Sequence, residues 1–204
     1  MMRTYKTEAL IIKRLNVGEA DRLITVFTRD HGKLSIKAKG IRRVPSRRSA
    51  HVELLNNSVL TLYSASRYPI LTEATALETF SDLKEDLQKI GFAYHLCELV
   101  DGLCPESQEH HQVYFLLKNT LHRLSRCSLS FRAEGEKSQG DLSGPVAHRD
   151  DMLMIVHAFE VELLTLLGYW HKPQSASLSV DTHSFIENIL ERRLKSKRVF
   201  QKTF

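Results

Sequence analysis

The sequence predicts an α+β fold: an N-terminal OB-fold β-barrel over residues 1–80, followed by an α-helical domain over residues 81–204. Three observations predict it. Short segments with alternating apolar and polar residues follow one another up to about Glu78. From Phe80 onward apolar residues recur at spacings of three and four instead. The charge divides along similar lines, with 13 Lys+Arg against four Asp+Glu in residues 1–50, ten against 20 over 51–191, and six against none over 192–204.

Residues 7–15 (TEALIIKRL) read as the first strand, and Asn16–Ala20 as a turn. Residues 22–28 (RLITVFT) form a second strand with two apolar faces, as expected deep in a barrel. Asp30-His31-Gly32 is a hairpin signal. Residues 33–39 (KLSIKAK) alternate strictly, with Leu34, Ile36 and Ala38 on one side and Lys33, Ser35, Lys37 and Lys39 on the other. A loop, IRRVPSRRSA, follows Gly40; Pro45 keeps it out of a central strand. Residues 51–63 give a longer strand or a pair split near Asn56-Asn57, and 70–78 give a fifth. Five short strands with sequential hairpins suggest a small closed barrel such as an OB-fold.

Leu83, Leu87, Ile90, Tyr94 and Cys97 mark a helical stripe that Ser81 could cap. Pro105 and Ser107 start a second helix carrying Val113, Leu117, Leu121 and Leu124. Residues 128–149 are rich in Ser and Gly and read as a long mobile loop. Asp150-Asp151 open a third helix that runs to Leu167 and is closed by Gly168. After a polar stretch over 171–180, Asp181 caps a last helix that buries Phe185, Ile189 and Leu190.

The net charge is +5 and no apolar run approaches the roughly 18 residues of a membrane span. Charges threaded through Met1–Lys13 argue against a secretory signal. Cys97, Cys104 and Cys127 contain no CxxC, which suits a reducing cytoplasm and buried, inert thiols.

A strongly basic β-domain suits a polyanion, most simply nucleic acid. The candidate contacts are Lys33, Lys37 and Lys39 on the third strand and Arg42, Arg43, Arg47 and Arg48 on the following loop, where planar guanidinium forks can pair with phosphate oxygens. Arg192, Arg193, Lys195 and Lys197 form a second candidate block, although cations at a helix C-terminus also simply complement its dipole. The two blocks would form one face if they converge; separate faces would leave the same charge sums. Phe27, Tyr63 and Tyr68 are the only nearby stacking candidates, and Phe27 also reads as core. Affinity should therefore rest on phosphates and depend on salt. The ten histidines lack metal-ligand spacing, and His171 and His183 have no obvious partners, so no metal is expected. There is no P-loop, HExxH or GxSxG, and no catalytic residue is assigned.

The stretch from Thr7 to Gly40 resembles the opening of the RecO family of bacterial recombination mediators. The carrying residues are G-E-A-D-R (Gly18–Arg22), F-T-R-D-H-G-K-L (Phe27–Leu34) and A-K-G-I-R-R (Ala38–Arg43), with F-E-V-E-L-L-T-L-L-G-Y (Phe159–Tyr169) and I-L-E-R-R-L-K-S-K-R (Ile189–Arg198) similar to that family's helical domain. The resemblance implies a non-enzymatic, nucleoid-associated DNA repair protein of the RecF pathway. Such a protein binds single- and double-stranded DNA, anneals complementary strands, pairs with RecR, contacts the C-terminal tail of the single-strand-binding protein and helps RecA load. Many members carry paired CxxC motifs after the G-Y; here W-H-K-P-Q-S-A-S-L-S-V-D stands there without cysteine, which again implies no zinc. Leu117, Leu121, Arg123 and Arg126 share a helix that could receive an acidic tail, although the leucines also read as core. Taken without the resemblance, the residues also suit an OB-fold RNA-binding or translation-associated factor, a scaffold for acidic proteins, or an enzyme with an unlisted site.

Overall fold

β1 (Thr4–Val17), β2 (Asp21–Thr28), β3 (Gly32–Ala38), β4 (Asn57–Tyr63) and β5 (Ile70–Glu78) close into a barrel in the order β1-β2-β3-β5-β4, with β4 pairing back onto β1. The neighbours are antiparallel except β3 and β5, which meet in parallel at Lys37 and Ile70. That is the strand order of an OB-fold. The computed structural model describes residues 4–43, 46–64, 67–127, 145–170 and 182–196. The expected loop lies outside them over 128–144, but residues 145–149 are already helical, so the third helix starts before the expected Asp150. The polar stretch over 171–180 lies outside them altogether.

Alternation fills the barrel as it should. Ala9 and Ile11 of β1, Ile24 and Val26 of β2, Ile36 and Ala38 of β3, Leu60 and Leu62 of β4 and Leu71 of β5 form its interior. The second apolar face of β2 has a different cause from the one expected. Phe27, with Leu10, Ile12 and Leu55, points outward into the core built by the helices. β1 and β2 are thus sandwiched between two cores. The expected strand over 51–63 begins only at Asn57; Ala50–Val52 form a single 3-10 turn before it.

The helices are α1 (Ser81–Lys84), α2 (Leu87–Leu103), α3 (His111–Arg126), α4 (Pro145–Leu166) and α5 (Thr182–Leu190). The stripe expected from Leu83 to Cys97 does not survive as one helix. The chain breaks after α1, and the Asp86 carboxylate caps α2 by accepting from the backbone N–H of Gln88 and Lys89, worth about 1 kcal/mol. The restart changes the helical phase, so Leu87 and Tyr94 face solvent while Phe92, Leu96, Leu99, Val100 and Leu103 are buried. α3 begins at His111 rather than near Pro105, and buries Val113, Leu117, Leu121 and Leu124 as expected. Burial raises the Cys97 thiol to about 12 and the Cys104 thiol to about 11, which keeps both protonated.

A polar network ties α3 to the barrel. Glu8 accepts from Asn57 Nδ2 (2.7 Å) and from Lys118 Nζ (3.1 Å), and Lys118 also reaches Glu78 (3.0 Å). The buried Tyr114 hydroxyl donates to Asn57 Oδ1 at 3.0 Å. Burial alone would raise the Glu8 carboxyl, but the hydrogen bonds from Asn57 and Lys118 prevail and hold it below 4.5. Its stabilising contribution is therefore complete above 4.5 and is lost as pH falls through the lowered value. Melting temperature should drop on acidification, and Glu8→Gln should flatten that acid limb. An acid limb of unchanged steepness in the variant would remove Glu8 from the explanation.

Candidate nucleic-acid interface

The loop after β3 is held at both ends. Ile41 and Val52 are buried in the barrel interior, and successive turns connect them, with Arg43 N–H donating to Gly40 O, Ser46 N–H to Arg43 O and Ser49 N–H to Ser46 O. Gly40 N–H donates to Asp21 Oδ1 at 2.8 Å. That bond chiefly lowers the Asp21 carboxyl, and the charges of Lys37 and Lys39 add to it. The described part of the loop is tied back to the barrel by these hydrogen bonds and forms a platform for its arginines.

The cations divide by what they touch. Lys39, Arg42, Arg43 and Arg47 are exposed, although Arg42 also donates to Gly18 O at 3.1 Å. Lys37 is 40% exposed, with Asp21 at 3.6 Å. Arg48 acts as a clamp, donating to Leu71 O at 2.7 Å and to Lys39 O at 3.0 Å, which binds the loop to β5 and to the end of β3. Its guanidinium is largely occupied by backbone carbonyls.

Lys33 departs furthest from expectation. Its side chain is 10% exposed and its Nζ donates to Asp101 O at 2.5 Å, with Asp101 Oδ1 at 3.8 Å. It places an ammonium on the last turn of α2, where the helix dipole is negative. Ser35 is engaged as well, donating to Glu106 Oε1 at 3.1 Å. The first half of the supposed cationic strand face is thus covered by residues 101–108, because α2 and the segment after it dock there. Phe27 is fully buried and so cannot stack on a base.

Arg22, Ile41, Arg42, Arg43, Ser46, Arg47 and Ser49 line an open cleft of about 500 Å³. Two polar atoms in it, Arg22 Nη1 and Ser46 Oγ, are buried without a hydrogen-bond partner. Arg22 was not among the residues singled out by sequence. The available signal was register: Arg22 opens β2 opposite Ala38, beside the loop that leaves β3.

The second basic block lies past its helix, not on it. α5 ends at Leu190, and Glu191 turns the chain with φ +51°, so these cations follow the helix rather than stand in its last turn. Glu98 of α2 accepts from the backbone N–H of Lys195 (2.9 Å) and Ser196 (2.8 Å). Burial raises the Glu98 carboxyl, but these two bonds prevail and lower it. Arg192, Arg193 and Lys195 are exposed; Lys197 lies outside the described residues. Arg192 and Lys195 line a second cleft with Lys13 and Arg14 of β1. Glu53 links the two clefts, since its carboxylate lies 2.5 Å from Arg14 and 3.9 Å from Arg22. The basic blocks are joined by a track of contacts through Arg14, Glu53 and Arg22.

Residues 2–80 match the family described as "Recombination protein O N terminal", and residues 84–132 match "Recombination protein O C terminal". The chain belongs to the RecO family. Among curated RecO relatives, "DNA repair protein RecO" of Roseiflexus sp. (strain RS-1) is 40% identical over 172 residues, covering 84% of this chain and 52% of the relative. The protein of the same name from Acetivibrio thermocellus is 32% identical over 168 residues, covering 82% and 59%. The chain spans about half the length of these RecO relatives. Among the described residues, no helix is long and apolar enough to cross a membrane. Leu117 and Leu121, considered for a peptide pocket, are at most 1% exposed and belong to the core.

Proposed function

We propose that this chain is a non-enzymatic DNA-binding mediator: it holds single- and double-stranded DNA on the platform after β3, anneals complementary strands and helps RecA load in RecF-pathway repair. RecR and the acidic tail of the single-strand-binding protein are its protein partners in this reading, drawn from the family. One observation carries it. On an OB-fold barrel of a DNA repair family, four arginines surround a cleft in which Arg22 Nη1 and Ser46 Oγ have no hydrogen-bond partner. Cations that meet phosphates release counterions and screen strand from strand, so complementary bases meet without sequence readout. The relatives' name, DNA repair protein RecO, supports the same role.

The test is anisotropy of a labelled single-stranded oligonucleotide across a salt series, with an RNA of the same sequence beside it. Arg43→Ala/Arg47→Ala should leave the melting temperature unchanged and reduce the slope of log K against log salt by about 0.7 per lost phosphate contact. Binding by the parent that this folded double variant retains in full would move the DNA face elsewhere. A clear preference for RNA would favour the RNA-binding reading.

A further inference from the structure

A different part of the molecule, away from the basic platform, brings together a set of metal-ligand side chains. Glu160 of α4 is 1% exposed, and its carboxylate is surrounded by imidazoles. His95 Nε2 of α2 lies 2.8 Å from Oε1, and His183 Nε2 of α5 lies 3.6 Å from the same oxygen. The three ligand atoms all lie within 4.8 Å of one another. His157 Nδ1 adds a fourth nitrogen at the edge, 3.9 Å from Oε2. Among the described residues, every ion-pair partner within 4.0 Å of this buried carboxylate is a histidine.

We propose that His95, Glu160 and His183 bind a divalent transition-metal ion, zinc being the best match. Two imidazole nitrogens and a carboxylate oxygen are a common zinc donor set. Bonds of about 2.0–2.2 Å to a tetrahedral ion put neighbouring ligand atoms roughly 3.3–3.5 Å apart. The separations to Glu160 Oε1 lie on either side of that range, so small side-chain adjustments suffice. The outer contacts are already in place. His95 Nδ1 lies 2.8 Å from Ser196 Oγ, and coordination through Nε2 leaves Nδ1–H to donate there. Thr182 Oγ1 donates to Glu160 Oε2 and holds the second carboxylate oxygen. His183 and His157 are 42% and 35% exposed, which opens a path for the ion. The ligands come from three helices far apart in sequence, so no spacing motif could show them. An ion here would fasten α5 to α2 and α4, and through Ser196 would help position the basic residues 192–195.

The test uses the full chain with any affinity tag removed. After stripping with a chelator, zinc is titrated by calorimetry, cobalt is titrated by its visible absorption, and melting is followed with and without zinc. The parent should bind about one equivalent, show the absorption of four-coordinate cobalt and melt at a higher temperature with zinc. His183→Ala removes a half-exposed ligand, so it should fold; it should lose affinity by more than about tenfold and lose the zinc-dependent rise in melting temperature. Glu160→Gln should behave likewise if it folds. A stripped, folded parent that neither binds zinc nor gains stability from it overturns the proposal. So does binding that His183→Ala retains at parental affinity.

Discussion

Gly32→Ala is expected to be among the most damaging single substitutions in the chain, costing about 3–5 kcal/mol of unfolding free energy. Gly32 sits at φ +65°, a conformation that costs an alanine about 1–2 kcal/mol by itself. Space is the larger problem. A Cβ there would lie 1.7 Å from the carbonyl oxygen of Gln108, a backbone atom that no rotamer change can move. One residue on, Ser107 N–H donates to Lys33 O at 2.8 Å, and Lys33 pairs with Glu106 as an isolated parallel bridge. The added methyl would push away the segment that places Glu106 beside Ser35 and would loosen Lys33 from the end of α2. Urea unfolding of parent and variant measures the cost. A variant within about 0.5 kcal/mol of the parent, the range of a neutral surface change, would mean that this segment does not pack on β3.

Gly32 also illustrates what a sequence does and does not disclose. Asp30-His31-Gly32 announces a hairpin, because local chemistry fixes a turn and its neighbours. Alternation located β1 to β3, and hairpins account for the β1-β2-β3 and β4-β5 neighbours, but the parallel β3–β5 contact and the closure of β4 onto β1 do not follow from sequential hairpins. Nothing local says that the backbone of Gln108 closes over that turn, or that Lys33, an outward position by period, is covered by α2. An outward side chain on a strand is solvated only if no other layer reaches it. Here the helices reach the first half of β3 and leave the second half open.

The candidate interface divides the same way. Arg43 and Arg47 were legible because a run of cations on a loop has no apolar partner to bury against. Arg48 belongs to the same run, but its role as a clamp on Leu71 and Lys39 depends on where β5 returns. Arg22 and Ser46 were missed because their meeting depends on the register of β2 against β3. In the helical part, Asp86 shows how one residue can defeat a periodicity. The spacing from Leu83 to Cys97 looks continuous until a cap restarts the helix and turns Leu87 and Tyr94 outward.

Phe27→Ala is expected to cost about 3–5 kcal/mol, the usual range for removing a buried phenylalanine, and its consequences should cross the whole molecule. Phe27 is fully buried, yet it lies outside the barrel interior. It belongs to the core formed with Phe92, Leu96, Val113 and Tyr114 of α2 and α3, while its neighbours Ile24 and Val26 fill the barrel. A lesion on one face of β2 therefore weakens a strand on which both cores depend, and unfolding should be a single cooperative transition. The chain's one tryptophan provides a distant probe. Trp170 follows α4 and meets Phe185 of α5 edge to face, with ring centroids 5.2 Å apart. Its fluorescence should report the helical layer, while far-ultraviolet circular dichroism reports strands and helices together. In Phe27→Ala both midpoints should move down by the same amount. A fluorescence midpoint that stays at the parental value while the dichroism midpoint falls would mean that barrel and helices unfold independently, and that the outward face of β2 does not couple them.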